Sequence, residues 1–464
     1  MELLPEICYQ AILSHDRRFD GLFFTCVTST HIYCRPICPA IVPRIEHCRF
    51  VRSAAQAERQ GFRPCMRCRP ERAPNVPLFA FSPAEALAAH IDATLMSDQT
   101  FGSISHTYGI SERQLRRVFS RLYGVEPHEY LTTRRLLFAK QLLQDTSLPI
   151  LQAAYAAGFG SPGRLTIQLR KAYGLTPQQL RKQTTKADTA QLQLKTDYRP
   201  PLDWHSMLEF LAKRATPDER IENGIYYRHI DKNVELSVQH LSQTTQVLVT
   251  IPAECAKDAY RYLRKVRKLF DLDAEPTAVA TALRKDEFIG QLSNRFPGMR
   301  VPGCWDEFEM ILRVIVGQQI SVAGATTVMR RLVERIGATP AVIAASSPAY
   351  IASTGMPRKR AETIWQLGKL VESGGLDLLD MNPTTFYEKL VSLPGIGPWN
   401  AEYLTMRVLH WPDALPAADL GLQKALIPGQ RVTEKFLTAR MEIVRPWRSY
   451  AAVLLWKSLQ NQGG

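Results

Sequence analysis

Apolar residues fall at helical spacing through most of this chain, and the clearest run covers residues 386–408. Phe386, Leu390 and Leu393 recur at i, i+4 and i+7, which predicts an amphipathic helix. Pro394-Gly395-Ile396-Gly397 then forces a tight turn, because glycine takes positive φ without a Cβ clash. Pro398 suits the first turn of a following helix. On that helix Ala401, Leu404 and Val408 share one face, and Trp399, Tyr403 and Met406 the opposite one. A helix apolar on two faces is either fully buried or lines a pocket.

Residues 306–337 and 357–375 continue the helical pattern, so 276–464 reads as one helical domain. Further upstream, segments 103–131 and 148–182 share a layout. Each has a turn (Gly-Ile-Ser at 109–111; Gly158 to Ser161) followed by a helix, and each closes on a Tyr-Gly-x-x-Pro phrase. The first of these helices turns Leu115, Val118 and Phe119 inward and leaves Arg113, Gln114, Arg116 and Arg117 outward. The second presents Arg164, Gln168, Arg170 and Lys171. Two stretches alternate instead with period two, 234–241 and 245–252, and predict strands. Residues 256–272 predict a helix with Tyr262, Val266, Leu269 and Phe270 inward, whereas 184–197 is polar and reads as a linker.

At 464 residues the chain has room for about three or four domains. No apolar run nears the roughly 20 residues of a membrane span and no signal-like segment opens it, so a cytoplasmic, nucleoid-associated location is expected. The net charge is +14, and residues 1–183 hold 23 Lys/Arg against 14 Asp/Glu. A basic front half suits a polyanion, most simply nucleic acid; a merely solvated basic surface fits the same count.

Seven of the nine cysteines fall in the first 68 residues, which argues for a metal or reactive thiols and against a disulfide framework. Cys34-x3-Cys38 and Cys65-x2-Cys68 form two short pairs, and four thiolates match tetrahedral zinc. A purely structural zinc, holding together a module too small to fold alone, would leave the same pattern. The flanking segments 16–24, 33–40 and 61–70 resemble the amino-terminal module of the bacterial adaptive-response regulator to alkylation. That resemblance implies a zinc-bound cysteine that removes a methyl group from a DNA phosphotriester. Cys34 matches the nucleophile, with Cys38, Cys65 and Cys68 as the other ligands. A tetrathiolate zinc centre has formal charge −2 and methylation leaves −1, so the reaction would itself relieve repulsion of DNA phosphate. The doubled helix-turn-helix pattern resembles the AraC-type DNA-binding domain that follows this module. It implies DNA contacts from Arg113, Arg116, Arg117, Arg164 and Arg170, with two recognition helices in successive major-groove turns.

The hairpin region, with Asp419 about two helical turns beyond its second helix, resembles the helix-hairpin-helix DNA glycosylase superfamily. Segments 302–309, 317–321, 355–362 and 445–456 narrow the resemblance to 3-methyladenine DNA glycosylase II. The likeness implies that Gly395 and Gly397 grip a DNA phosphate, and that Gln318 and Gln319 approach the duplex, with Gln319 where relatives carry an apolar wedge. It implies Asp419 as the catalytic carboxylate and Trp399, Tyr403, Trp447 and Phe210 as aromatics around a flipped base. Core packing is the competing account of Trp447 and Phe210, and helix capping that of Asp419. Relatives with lyase activity carry Lys where this chain has Trp399, so a monofunctional hydrolase is expected. No cysteine follows Cys304, so no carboxy-terminal iron–sulfur cluster is expected, and the regulator's Pro-Cys-His-Arg methyltransferase site is missing.

The expected fold is multidomain and mainly α. It comprises a small zinc-binding α/β module (1–75), paired helix-turn-helix units (80–183), a linker (184–197), a small α/β domain (198–275) and an all-α helix-hairpin-helix core (276–464). The expected function is hydrolytic excision of N-alkylated purines from DNA, fused to a methylphosphotriester-sensing regulator. The alternative is a transcription factor with structural zinc, whose back half only binds damaged DNA. Zinc is the expected cofactor. The expected partners are double-stranded DNA (alkylated, and promoter) and RNA polymerase, with no membrane, and the chain is expected to be a monomer.

Overall fold

The computed structural model describes residues 4–76, 102, 111–181, 190–231, 234–376 and 383–460. It divides into two units, Met1–Pro200 with Ile230–Val266 and Leu272–Ala274, and Pro201–His229 with Arg267–Asp271 and Glu275–Gly464.

The first unit opens with a four-stranded sheet in the order β3-β1-β2-β4, built from β1 (Phe24–Val27), β2 (Ile32–Cys34), β3 (Cys48–Val51) and β4 (Arg63–Pro64). Parallel pairing of β2 with β4 sets Tyr33 opposite Pro64, so Cys34 and Cys65 leave the sheet side by side. Phe24, Cys26, Tyr33, Val51 and Phe62 pack one face and are joined by Leu137 from the helix Pro127–Asp145. That helix is central to the unit and buries Lys140, whose ammonium pairs with Glu71 at 2.6 Å. An unpaired ammonium could not stay there, and the Glu71 partner answers its burial.

The internal repeat has a common structural origin. Glu112–Tyr123 and Pro162–Tyr173 are both 12-residue helices, capped at the start by Ser111 and Ser161. Both stop at a glycine in left-handed conformation, Gly124 (φ 72°) and Gly174 (φ 68°), and the next helix starts on Pro127 or Pro177. Leu115 and Phe119 are buried in the first, and Leu165 and Leu169 in the second. The turn at 109–110 lies outside the described residues.

Residues 191–197, expected within the linker, form strand β5 (Gln191–Asp197) instead, with Leu192 and Leu194 buried. Two alternating leucines are too short a pattern to stand out from polar sequence. β5 pairs antiparallel with β9 (Gln246–Pro252), which pairs with β8 (Val234–Leu241), close to the strand bounds expected.

The second unit begins with the helix Trp204–Ala212 and the hairpin of β6 (Glu219–Glu222) and β7 (Ile225–Asp231), which the sequence did not announce. Helices fill the rest. The helix Pro398–Val408 is buried on both sides, as its two apolar faces require. Ala401, Leu404 and Val408 pack with Ile311, Ile315, Phe386 and Leu390, while Met406 packs with Leu422, Leu437 and Leu454. Tyr403 touches both cores.

Candidate functional site

In the second unit the helices Pro383–Val391 and Pro398–Val408 flank the expected hairpin. Gly395 has φ 87°, and a Cβ there would sit 2.8 Å from Thr363 Oγ1. Gly397 is an N-cap without a side-chain cap, and a Cβ there would meet nothing within 4 Å. The space in front of this helix N-terminus is therefore open, which suits an approaching phosphate. Gln318 Nε2 donates to the Gly395 carbonyl at 2.7 Å and so braces the hairpin. Gln319 is exposed with φ 58°, which turns it outward, and Ile320 beside it is also exposed.

Asp419 caps the short helix Leu420–Ala425 through Leu422 N–H at 2.9 Å, so the capping account of this residue holds. It does not exhaust the carboxylate. Trp399 Nε1 donates to Oδ2 at 3.2 Å and Trp456 Nε1 to Oδ1 at 3.0 Å. Gly421 allows this closeness, since a Cβ there would lie 2.9 Å from Asp419 Oδ1. Tyr403 stacks on Trp399 with centroids 5.4 Å apart and 4° between planes, and meets Trp456 edge-on at 6.0 Å. Three aromatic rings thus gather at one half-buried carboxylate.

Trp456 was not singled out from the sequence, which named Trp447 among the base-pocket aromatics. Trp447 meets Tyr450 edge-on at 5.6 Å and packs against a hydrophobic core; Trp456, nine residues on, is the indole that reaches Asp419. Phe210 shares Arg407 with Tyr403, and its ring is faced by cations, Arg214 at 3.8 Å and Arg407 at 4.9 Å. Arg407 also donates to the Tyr403 hydroxyl at 2.6 Å. Burial pushes the Tyr403 phenol up, but Arg407, Arg214 and Arg313 outweigh it and hold the phenol below its usual value. Asp413 is committed to Arg448 at 2.8 Å and Arg445 at 3.3 Å, a structural ion pair.

In the first unit Cys34, Cys38, Cys65 and Cys68 bring their sulfurs within 4.8 Å of one another. Cys38 and Cys65 are 3.9 Å apart, against roughly 3.8 Å along the edge of a tetrahedron with zinc–sulfur bonds of about 2.3 Å. Arg35 N–H donates to Cys68 Sγ at 3.3 Å. The donor set and its spacing fit zinc. Three of the cysteines are buried and Cys34 alone is partly exposed. Arg113, Arg116, Arg117, Arg164 and Arg170 are all exposed on the two 12-residue helices.

These features define a chain that joins a metal-binding module and a helix-turn-helix to a helix-hairpin-helix repair fold. Residues 7–71 match the metal binding domain of Ada and 104–183 a helix-turn-helix domain. Residues 191–306 match the AlkA N-terminal domain and 312–443 the HhH-GPD superfamily base excision DNA repair protein. The chain belongs to the family of the probable bifunctional transcriptional activator/DNA repair enzyme AlkA of Mycobacterium tuberculosis, with 33% identity over 98% of this chain and 97% of that protein. It is also 32% identical to DNA-3-methyladenine glycosylase 2 of Escherichia coli, over 56% of this chain and 95% of that protein. Among solved structures, 3-methyladenine DNA-glycosylase from Archaeoglobus fulgidus shares the fold, with TM-score 0.50 and 22% identity over 56% of this chain and 96% of that one. Among the described residues no helix is long and apolar enough to cross a membrane.

Proposed function

We propose that the second unit is a monofunctional DNA glycosylase that hydrolyses N-alkylated purines of the 3-methyladenine type from double-stranded DNA. The observation that carries this reading is the Asp419 carboxylate held between the indole N–H groups of Trp399 and Trp456. A target nucleotide must leave the stack to be reached, and Gln319 and Ile320, both exposed, would be the side chains that fill the gap. Gly395 and Gly397 would hold the backbone beside it. As the C1′–N bond breaks, positive charge grows on the sugar. A carboxylate about 5 Å away at an effective dielectric near 20 stabilises that charge by about 3 kcal/mol, or two to three orders of magnitude in rate. Asp419→Asn keeps the cap and should lose that factor in release of free 3-methyladenine from methylated duplex. Equal release by variant and wild type overturns the assignment.

For the first unit the reading is a methylphosphotriester sensor that controls transcription. Bound by the four cysteines, zinc would keep their thiolates ionised at neutral pH. Cys34, the partly exposed member, is suited to attack the methyl carbon. Its sulfur forms the new bond to carbon, and the carbon–oxygen pair returns to the phosphate as a diester anion. Mass spectrometry after exposure to methylated DNA should find one added methyl on Cys34 and none in Cys34→Ala. The exposed arginines of the two capped helices support promoter binding, with RNA polymerase as the further partner of a monomeric activator.

A further inference from the structure

Arg35 stands between the two cysteine pairs and touches both. Its carbonyl accepts the Cys38 N–H at 3.1 Å, and its own N–H donates to Cys68 Sγ at 3.3 Å. Its guanidinium Nη1 donates to the carbonyls of Cys68 at 3.0 Å and Arg69 at 3.4 Å. The residue is only 2% exposed, and a charge so buried is held only where carboxylates pair with it. Two do. Asp20, upstream of β1, accepts from Nε at 2.8 Å and from Nη2. Asp197, the last residue of β5, accepts from Nη2 at 2.7 Å through Oδ2. Every nitrogen of the guanidinium is thereby engaged.

Asp197 comes from elsewhere in the chain. Residues 7–71 hold Asp20, Arg35 and all four clustered cysteines, whereas β5 opens the segment 191–306. Gln246 on β9 faces Asp197 in the strand register and donates to its Oδ1 at 2.8 Å. The carboxylate is thus clamped to the sheet by one oxygen and gives the other to Arg35. Gln141 donates to the Lys195 carbonyl at 2.9 Å, which ties the same strand to the helix that packs Leu137 against β1 and β2.

We propose that Asp197 is a positioning residue of the four-cysteine site. Acting through Arg35, it holds the Cys34–Cys38 pair against the Cys65–Cys68 pair, so that retention of the metal depends on strand β5. This rests on the zinc reading above. One carboxylate would leave the buried guanidinium able to swing about that single partner. Two, carried on different elements, fix Nη1 on the Cys68 carbonyl and so fix the span between the pairs. Without Asp197 that span loosens, and an ion that needs all four sulfurs at tetrahedral spacing escapes sooner.

The test times zinc release to a chromogenic chelator from full-length protein and records the ligand-field and sulfur-to-metal bands of the cobalt(II) form. Asp197→Asn keeps the shape and removes the charge; it should release zinc about tenfold faster and shift the cobalt bands. Gln246→Leu, which unclamps Asp197 without removing it, should move both readouts the same way by less. Leu194→Ala removes a buried side chain from the same strand away from Arg35, so its cobalt bands should match wild type. Added to Arg35→Met, Asp197→Asn should bring no further acceleration. Readouts that stay at wild-type values in both Asp197→Asn and Gln246→Leu overturn the proposal. So do effects of Asp197→Asn and Arg35→Met that multiply independently, or a Leu194→Ala that matches Asp197→Asn in both readouts. Wild type that binds no metal overturns the zinc reading, and this proposal with it.

Discussion

Asp419 is positioned by two kinds of contact that pull in different directions. The cap to Leu422 N–H serves the short helix, whereas the two indole N–H groups hold the oxygens that would face a sugar. Charge-assisted hydrogen bonds of this kind contribute about 1.5–3 kcal/mol, enough to fix the carboxylate's orientation. Trp456→Phe keeps the ring and removes the donor. It should slow single-turnover excision by about tenfold or more while DNA affinity stays near wild type; an unaltered rate would make the indole a packing residue. The part played by Trp456 was not legible in the sequence. The helix Arg448–Gln460 buries Tyr450, Ala451, Ala452, Val453, Leu454 and Leu455 in an unbroken run, so no stripe marks the face that reaches Asp419. The cap at Asp419 was legible, because an Asp just before an apolar helical run is a local signal.

Hairpin and repeat were the most readable elements, since glycine and proline impose their geometry within a few residues. Gly395 and Gly397 nevertheless need side chains absent for different reasons. Gly395→Ala would force a Cβ onto a φ of 87° and against Thr363, costing about 1 kcal/mol or more of stability. Gly397→Ala has room and an ordinary φ of −91°, so thermal stability should hold while duplex affinity falls. A drop in melting temperature for Gly397→Ala with intact affinity would reverse these roles. Strands β5, β6 and β7 escaped notice because short strands with few apolar residues resemble loops. A second element-level prediction concerns Glu58 on the helix Ala54–Arg59, whose carboxylate accepts from Tyr33, Thr133 and Tyr173 hydroxyls at 3.0, 2.7 and 3.1 Å. Burial pushes this carboxyl up to about 7 despite those bonds. Between about pH 4.5 and 7 the folded chain then binds more protons than the unfolded one, so stability falls by up to about 3 kcal/mol as pH rises through that window. Hydrogen exchange in residues 54–59 and 127–145 should follow that slope, and Glu58→Gln should flatten it.

For the whole molecule, length and charge indicated several domains and a polyanionic partner, yet the division into units does not follow the segment boundaries that composition suggests. Residues 230–266 and 272–274 belong with the first 200, and such long-range assembly leaves no mark on local pattern. Metal removal is the sharpest test at this scale. Chelation should unprotect the amides of residues 4–76, since the four cysteines clustered within 4.8 Å would lose the ion that cross-links them. Excision by the same full-length preparation should continue; its loss alongside would mean that the metal supports both units. One earlier detail also bears on the cell. Among the four clustered sulfurs Cys34 alone is partly exposed, so under the proposed methyl transfer the cluster would have nowhere to put a second alkyl group, and a thioether is not undone by turnover. Each molecule would then keep a lasting record of one encounter, and only synthesis and dilution could clear the tally, whereas the other half would continue to cycle.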